Sequence, residues 1–426
     1  MTPAARRSLL GDPMFGRLWF IQASTQVGGN MSLYALTILV FASTRSNAAV
    51  SALVMSFLVP QVLLSAIAGV LVDRLDVRRA LIVPNAIRTL LTLGLALAGA
   101  NVPVLLALNL GISLTTVILT PAEGSMIPRI VPKPQLETAM GIFNLTLQGS
   151  FAVGFAFLGP LLVSVAGPSF VLAFVVVFYA AATGATFLLP PAPAIPIERA
   201  NERGGTAGVM RRALHEPLDQ LREGFAAIRR NREVARPLIH LAGAASLVGV
   251  IGVLGPDLAA SLGVDPNHLI VVVLPLGLGV VAGVVGLNRF GREVSRRRAA
   301  EAGLVTFGVL ATAMAGVAST GASHDLPLVP LVAGLALIAG AAYATTTVSA
   351  QTALFENMEA GVRGRVFGVL ASIVSASSLL PILVAGPLAD ATSGPLVIGL
   401  AAIGVLAVAA WSAFTFGPRK SRGRSS

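Results

Sequence analysis

The sequence predicts an all-α membrane protein with twelve transmembrane helices in two pseudo-symmetric six-helix bundles. Three observations carry this reading. Of the 426 residues, 55% are apolar and only 12% are charged, about half the charged share of a soluble domain. The basic residues gather on one side of the predicted membrane. The second half of the chain repeats landmarks of the first.

The composition excludes other classes. A soluble domain this apolar would leave too much apolar surface in water. A disordered chain is poor in apolar residues and rich in charge. The absence of cysteine removes disulfide frameworks, thiol catalysis and thiolate metal sites. The apolar runs lack the period-2 alternation of barrel strands.

A helix needs about 20 apolar residues to cross a hydrocarbon core of about 30 Å. Twelve such runs lie at 19–42, 49–72, 81–100, 103–122, 139–166, 169–190, 237–256, 269–288, 301–320, 328–354, 366–389 and 396–416. The first carries Gln22, Gln26 and Asn30, unlike the apolar centre of a cleaved signal peptide, and is expected to be retained. The chain divides into an N-terminal bundle (1–190), a linker (191–236) and a C-terminal bundle (237–426). The linker opens with PPAPAIPIERANERGG, then sets Met210, Leu214, Leu218, Leu221, Phe225 and Ile228 at spacings of three and four. That period predicts an amphipathic helix on the membrane surface.

Twelve spans put both termini on one side, and that side holds 28 of the 30 Lys and Arg residues. Arg45 falls on the other side and Arg88 inside the third span. The asymmetry predicts a cytoplasmic (inner) membrane location, multi-pass, with both termini in the cytoplasm. The net charge of +11 is therefore a topology signal, and no nucleic-acid partner is expected. The strong preference for Arg over Lys, which occurs only as Lys133 and Lys420, suggests a bacterial source.

The halves share sequence. Gly141, Ser150, Gly159, Pro160, Leu161, Gly167 and Pro168 recur 227 residues later as Gly368, Ser377, Gly386, Pro387, Leu388, Gly394 and Pro395. The fifth and eleventh spans are thus equivalent. Duplicated bundles of this kind are typical of transporters, which bind substrate at the midplane between the halves.

Polar residues inside spans are the candidates for that site. Gln22, Gln26, Asn30 and Tyr34 recur every four residues and share one face, as do Asn144 and Gln148. Asn109, Tyr343 and Thr347 complete the set. Amides in hydrocarbon must be paired or face water, so each either lines a cavity or bonds a neighbouring helix. Arg88 lies roughly 12 Å into its span at about 1.5 Å per residue. It either snorkels to the interface or pairs with Glu123 or Asp73. A charge relay would draw on Arg88, Glu123, Asp257 and Asp390. No carboxylate falls near the middle of a span, which argues against a cationic substrate. His240 reads as a structural histidine.

After the second span comes GVLVDRLDVRR, with Gly69, Asp73, Arg74, Asp76, Arg78 and Arg79. This turn resembles the signature of the major facilitator superfamily, roughly G-x-x-x-D-R-x-G-R-R, with Asp76 where Gly is usual. The variant is similar to the branch that holds macrolide-efflux and siderophore-exporter proteins. A degenerate copy, GLNRFGREVSRRR, places Asn288, Arg289, Gly291 and Arg292 at the corresponding positions. GRLWFIQASTQVGG, IPRIVPKPQLETAMGIFN and RGRVFGVLAS extend the resemblance over nearly the whole chain.

The resemblance implies the major facilitator fold, with the first, fourth, seventh and tenth spans lining the path. It implies a conformational lock of Asp73, Arg74, Arg78, Asn288, Arg289 and Arg292, in which Asp73 docks against the start of the eleventh span and holds an outward-facing state. In proton-driven exporters of the family the fifth span carries G-x-x-x-G-P-x-x-G-G. Here Gly159 and Pro160 are kept, while Phe155 and Val163 replace other glycines and Leu162 precedes the final pair. A hinge at Gly154, Gly159 and Pro160, mirrored by Gly386 and Pro387, or simple close packing, accounts for them.

The implied activity is export of a lipophilic or amphipathic small molecule by alternating access, with proton antiport as the energy source. Metabolite uptake by symport or facilitated diffusion, and a transporter-like sensor without flux, are the alternatives. The expected partners are a small-molecule substrate, the lipid bilayer and protons. No cofactor and no metal are expected. The sequence has no P-loop, HExxH or G-x-S-x-G pattern, so no enzymatic activity is expected.

Overall fold

The computed structural model describes residues 9–73, 75–191, 232–264, 269–290, 295–319, 328–356 and 363–415. Twelve helical rods carry the described chain. They are α1 (Pro13–Thr44), α2 (Asn47–Asp73), α3 (Val77–Leu97), α4 (Val102–Ile130), a composite α5, α6 (Pro168–Thr186), α7 (Arg232–Ser261), α8 (Ile270–Phe290), α9 (Arg296–Ser319), α10 (Leu328–Glu356), α11 (Arg363–Ala391) and α12 (Gly394–Thr415). Among the described residues, eleven helices are long and apolar enough to cross a membrane, and α11 adds the apolar stretch Ala376–Ala391.

Local chemistry sets the ends. Asp12 accepts the N–H groups of Met14 and Phe15 at the start of α1, and Asn101 accepts that of Val104 at the start of α4. Such caps satisfy N–H groups that a first helical turn leaves free. Asp76, the departure from the family turn, accepts the N–H of Arg79 at 2.9 Å and caps α3. Gly167 turns the chain between α5 and α6 at φ 83°, in the left-handed region that glycine enters freely.

Three elements differ from the sequence expectation. The fourth helix runs past 122 to Ile130, through Pro121 and Pro128, so Glu123 lies inside a helix and not in a loop. The seventh begins at Arg232, so the last residues assigned to the linker belong to the span. The fifth is not a uniform α-helix. It comprises Leu136–Ser150, a π-helical stretch Phe151–Leu158 and a short α-helix Gly159–Ala166. The Gly159 N–H bonds the Gly154 carbonyl five residues back, and Pro160 has no N–H to offer. The helix predicted over 210–228 lies outside the described residues.

The helices form two groups, α1–α6 and α7–α12. Backbone hydrogen bonds stay within each helix, as a bilayer demands. Large apolar side chains point outward, with Leu97 at 77% and Phe414 at 89% exposure. These exposures suit lipid, where they cost nothing. Close packing rests on small residues. A Cβ on Gly279 would strike the Leu337 carbonyl, and one on Gly340 the Leu276 carbonyl. Glycine at both positions thus lets the α8 and α10 backbones touch. Arg236 of α7 pairs with Glu301 of α9, which also meets Arg297 at 3.6 Å.

Among the described residues, side-chain hydrogen bonds between the halves lie at the face opposite the described chain ends. Ser51 Oγ of α2 donates to the Ile382 carbonyl of α11 at 2.8 Å, and Gly277 of α8 packs on Ala156 of α5. Toward the terminal face, Met140, Asn144, Leu147 and Phe151 of α5 stand exposed along one side. Among the described residues, hydrogen bonds hold the halves together at the opposite face.

Candidate functional site

Between the halves lies a cavity of about 230 Å³. Its wall comes from both. Leu33, Tyr34, Thr37 and Ile38 of α1 and Phe151, Phe155 and Ala156 of α5 face Val248, Gly252 and Pro256 of α7, Leu276 of α8, Phe307 and Met314 of α9, and Tyr343 of α10. One wall is aromatic: Phe151 stacks on Phe155 at 4.9 Å, and Tyr34 meets Phe155 edge-on at 5.4 Å. Across the cavity Phe307 tilts against Tyr343 at 5.7 Å. No charged side chain lines it among the described residues. The hydroxyl of Tyr34 is buried and has no hydrogen-bond partner among the described residues.

Of the polar residues singled out in the sequence, Tyr34 and Tyr343 reach this cavity. Gln22 Nε2 donates instead to the Phe143 carbonyl of α5 at 3.3 Å. Asn30 Nδ2 donates to the Gln26 carbonyl and to Ser150 Oγ at 3.3 Å. That side of α1 packs on α5, where Gly154 lies against Val27 and Asn30. Asn109 Nδ2 donates to Ser56 Oγ and the Leu53 carbonyl, tying α4 to α2. Thr347 bonds back to the Tyr343 carbonyl at 3.0 Å. Asn144 is exposed on the side of α5 that leads to Phe151. The side chain of Gln148 lies outside the description. Interhelical pairing therefore accounts for Gln22, Asn30 and Asn109, while apart from Tyr34 and Tyr343 the cavity wall is apolar and was not singled out in the sequence.

Arg88 is buried, at 4% exposure. Its Nη2 donates to the Thr25 carbonyl of α1 at 3.4 Å, and its guanidinium carbon sits 4.3 Å from the centre of the Tyr179 ring. Glu123 of α4 is buried and interacts electrostatically with Arg88. Gly28 and Gly29 make room for this group, since a Cβ at Gly29 would come within 3.2 Å of Arg88 Nη2. Asp257 and Asp390 are not part of it. They lie at the opposite face, bonded to the start of α2, so the four residues of the expected relay form two separate groups.

The lock residues divide likewise. Arg78 Nη2 donates to the Phe187 carbonyl and Arg17 Nη1 to the Leu188 carbonyl. Both arginines thereby serve the carbonyl end of α6, a favourable place for cations. Arg289 is exposed. Arg74, Arg292 and the side chains of Asp73 and Asn288 lie outside the description. At the expected hinge, Gly154 and Gly159 belong to and border the π-helical stretch, and Gly386 meets Asn47 and Ser51 of α2. His240 is buried beside Ser412 at 3.5 Å.

The family model of the Major Facilitator Superfamily matches residues 18–381. The chain is 32% identical over 127 residues to the multidrug efflux pump Tap of Mycolicibacterium fortuitum, covering 30% of this chain and 29% of Tap. It is 27% identical over 282 residues to the uncharacterized MFS-type transporter YkuC of Bacillus subtilis, covering 64% and 63%. The match thus spans less than two thirds of either relative. The fold resembles that of the nucleoside transporter NupG, with a TM-score of 0.70 at 15% identity over 96% of this chain and 100% of NupG. It also resembles a POT family transporter solved with 5-aminolevulinic acid, at a TM-score of 0.70 and 12% identity over 95% of this chain and 96% of that one. The family match over most of the chain and the twelve-helix fold agree: the protein belongs to the major facilitator superfamily and is a multi-pass membrane transporter.

Proposed function

We propose that the protein is a secondary active exporter of an uncharged lipophilic or amphipathic small molecule, working by alternating access with proton antiport. The observation that carries this is the cavity shared by both halves, apolar and aromatic, with the halves held together by hydrogen bonds at the face opposite the termini. A charged solute would lose its hydration there with no fixed charge to replace it. The volume of about 230 Å³ is below the roughly 300–1,000 Å³ of common ligand pockets. The occupant is therefore small or extends along Phe151 and Asn144 toward the terminal face.

The face with the termini is assigned to the cytoplasm because the predicted topology gives it 28 of the 30 basic residues. In this reading substrate enters from the cytoplasmic side. Rocking of the halves opens the other face, and Asp73 docks on α11 to hold that second state. Proton coupling is assigned to Glu123, the one buried carboxylate among the described residues, with Arg88 as its partner. The similarity to Tap over part of the chain supports the outward direction.

Reconstitution in liposomes with an imposed pH gradient tests this. One pH unit supplies about 1.4 kcal/mol per proton, enough for roughly tenfold accumulation of a neutral substrate. Neutral lipophilic fluorophores should move against the proton flow and stop when the gradient is collapsed. Movement with the proton flow would replace export by uptake. No movement of any compound by folded protein would overturn transport itself.

A further inference from the structure

Two carboxylates that the cavity and the Arg88 group do not use hold the face opposite the termini. Asp390, near the end of α11, accepts from Ser46 Oγ at 2.6 Å, from the Asn47 N–H at 2.7 Å and from the Ala48 N–H at 3.0 Å. Asn47 begins α2, so a carboxylate from one half sits on the helix start of the other. That end of a helix carries free N–H groups and a positive partial charge, and bonds to a charged acceptor are the strong ones. Asp257 of α7 accepts from Asn47 Nδ2 at 3.2 Å and from the Gly394 N–H at 2.9 Å. Asn47 is therefore held by two helices of the second half. Gly386 permits the approach, because a Cβ there would strike Asn47 and Ser51.

We propose that Asp390 and Asp257, closing on Asn47, form a clasp that keeps this face shut, and that its release opens the cavity to that face. The clasp lies at a water-exposed rim, where freed N–H groups and carboxylates can bond water instead. Its net strength is that of a few exchanged hydrogen bonds, which suits a latch that must open in every cycle. The helix pair is also reciprocal: α11 ends at this face beside the start of α2, and at the terminal face α2 ends at Asp73 while α11 starts at Arg363. The proposal rests on the alternating-access reading above, and thiol labelling and flux report on the two separately.

The chain has no cysteine, so Thr37→Cys in the cavity wall serves as a single reporter. It is labelled in intact cells by a membrane-impermeant maleimide added from outside. Asp390→Ala is expected to raise the labelling rate by about tenfold or more, with Asp390→Asn between it and the native residue. Asn47→Asp sets a third carboxylate against Asp257 and Asp390 and should raise the rate as well, providing a second reading if an Asp390 variant inserts poorly. Unchanged labelling in inserted, folded variants overturns the clasp and leaves transport standing. Faster labelling by a protein that moves no compound upholds the clasp and overturns the transport reading.

Discussion

Arg88→Leu is expected to be the most damaging single substitution in the N-terminal half. Removing Arg88 leaves the buried Thr25 carbonyl it bonds without that donor, at a cost of about 1–3 kcal/mol, and takes away the charge that acts on the buried Glu123. Arg88 also ties α3 to the Thr25 carbonyl of α1 and lies over the Tyr179 ring of α6, so the loss reaches three helices. Arg88→Lys should recover only part of it, because a compact ammonium cannot serve a planar contact and a distant carbonyl together. The double variant Arg88→Leu with Glu123→Leu should be more stable than Arg88→Leu alone, since it leaves no orphaned charge. Thermal unfolding in detergent measures this as a double-mutant cycle. Equal stability of the single and double variants would separate Arg88 from Glu123. Glu123→Gln keeps the shape and takes away the titratable group, so transport should lose its dependence on the pH gradient.

Gly252→Trp is expected to stop flux while the protein still folds. Gly252 lines the cavity, and a Cβ built on it meets nothing within 4 Å. The indole therefore enters open space and not packed neighbours, unlike a side chain at Gly279 or Gly340. Filling a cavity of about 230 Å³ with a large aromatic should lower the transport rate by at least roughly tenfold, with little change in unfolding temperature. Gly252→Ala should transport normally. Undiminished flux by the Trp variant would place the path elsewhere.

The twelve rods were legible because hydropathy reports length against the bilayer, and each predicted span falls on one rod, the fifth being composite. What hydropathy could not show was where a helix continues past the membrane. The predicted fourth span stops at 122, yet α4 runs on through Pro128 to Ile130. The π-helical stretch was legible only as an unusual Gly-Pro at 159–160, because an apolar run looks alike at four- or five-residue bonding. Arg88 was visible as a lone embedded charge, and Glu123 was among its expected partners. The amide row of α1 was visible as one face, but a face does not name its neighbour. Gln22 and Asn30 turn to α5. Beyond Tyr34 and Tyr343 the cavity wall carried no signal, since Phe155, Phe307 and Met314 look like lipid-facing residues when only the sequence is read.

The central claim is that the halves separate at one face as they close at the other. Cross-linking that face tests it most directly. Ser46 Oγ and Asp390 Oδ2 lie 2.6 Å apart across the halves, and the native chain contributes no competing thiol. Ser46→Cys with Asp390→Cys, joined by a short reducible thiol cross-linker, replaces the clasp with a covalent one. Gradient-driven flux in liposomes should vanish on cross-linking and return on reduction. Full flux through completely cross-linked protein would contradict alternating access through this face.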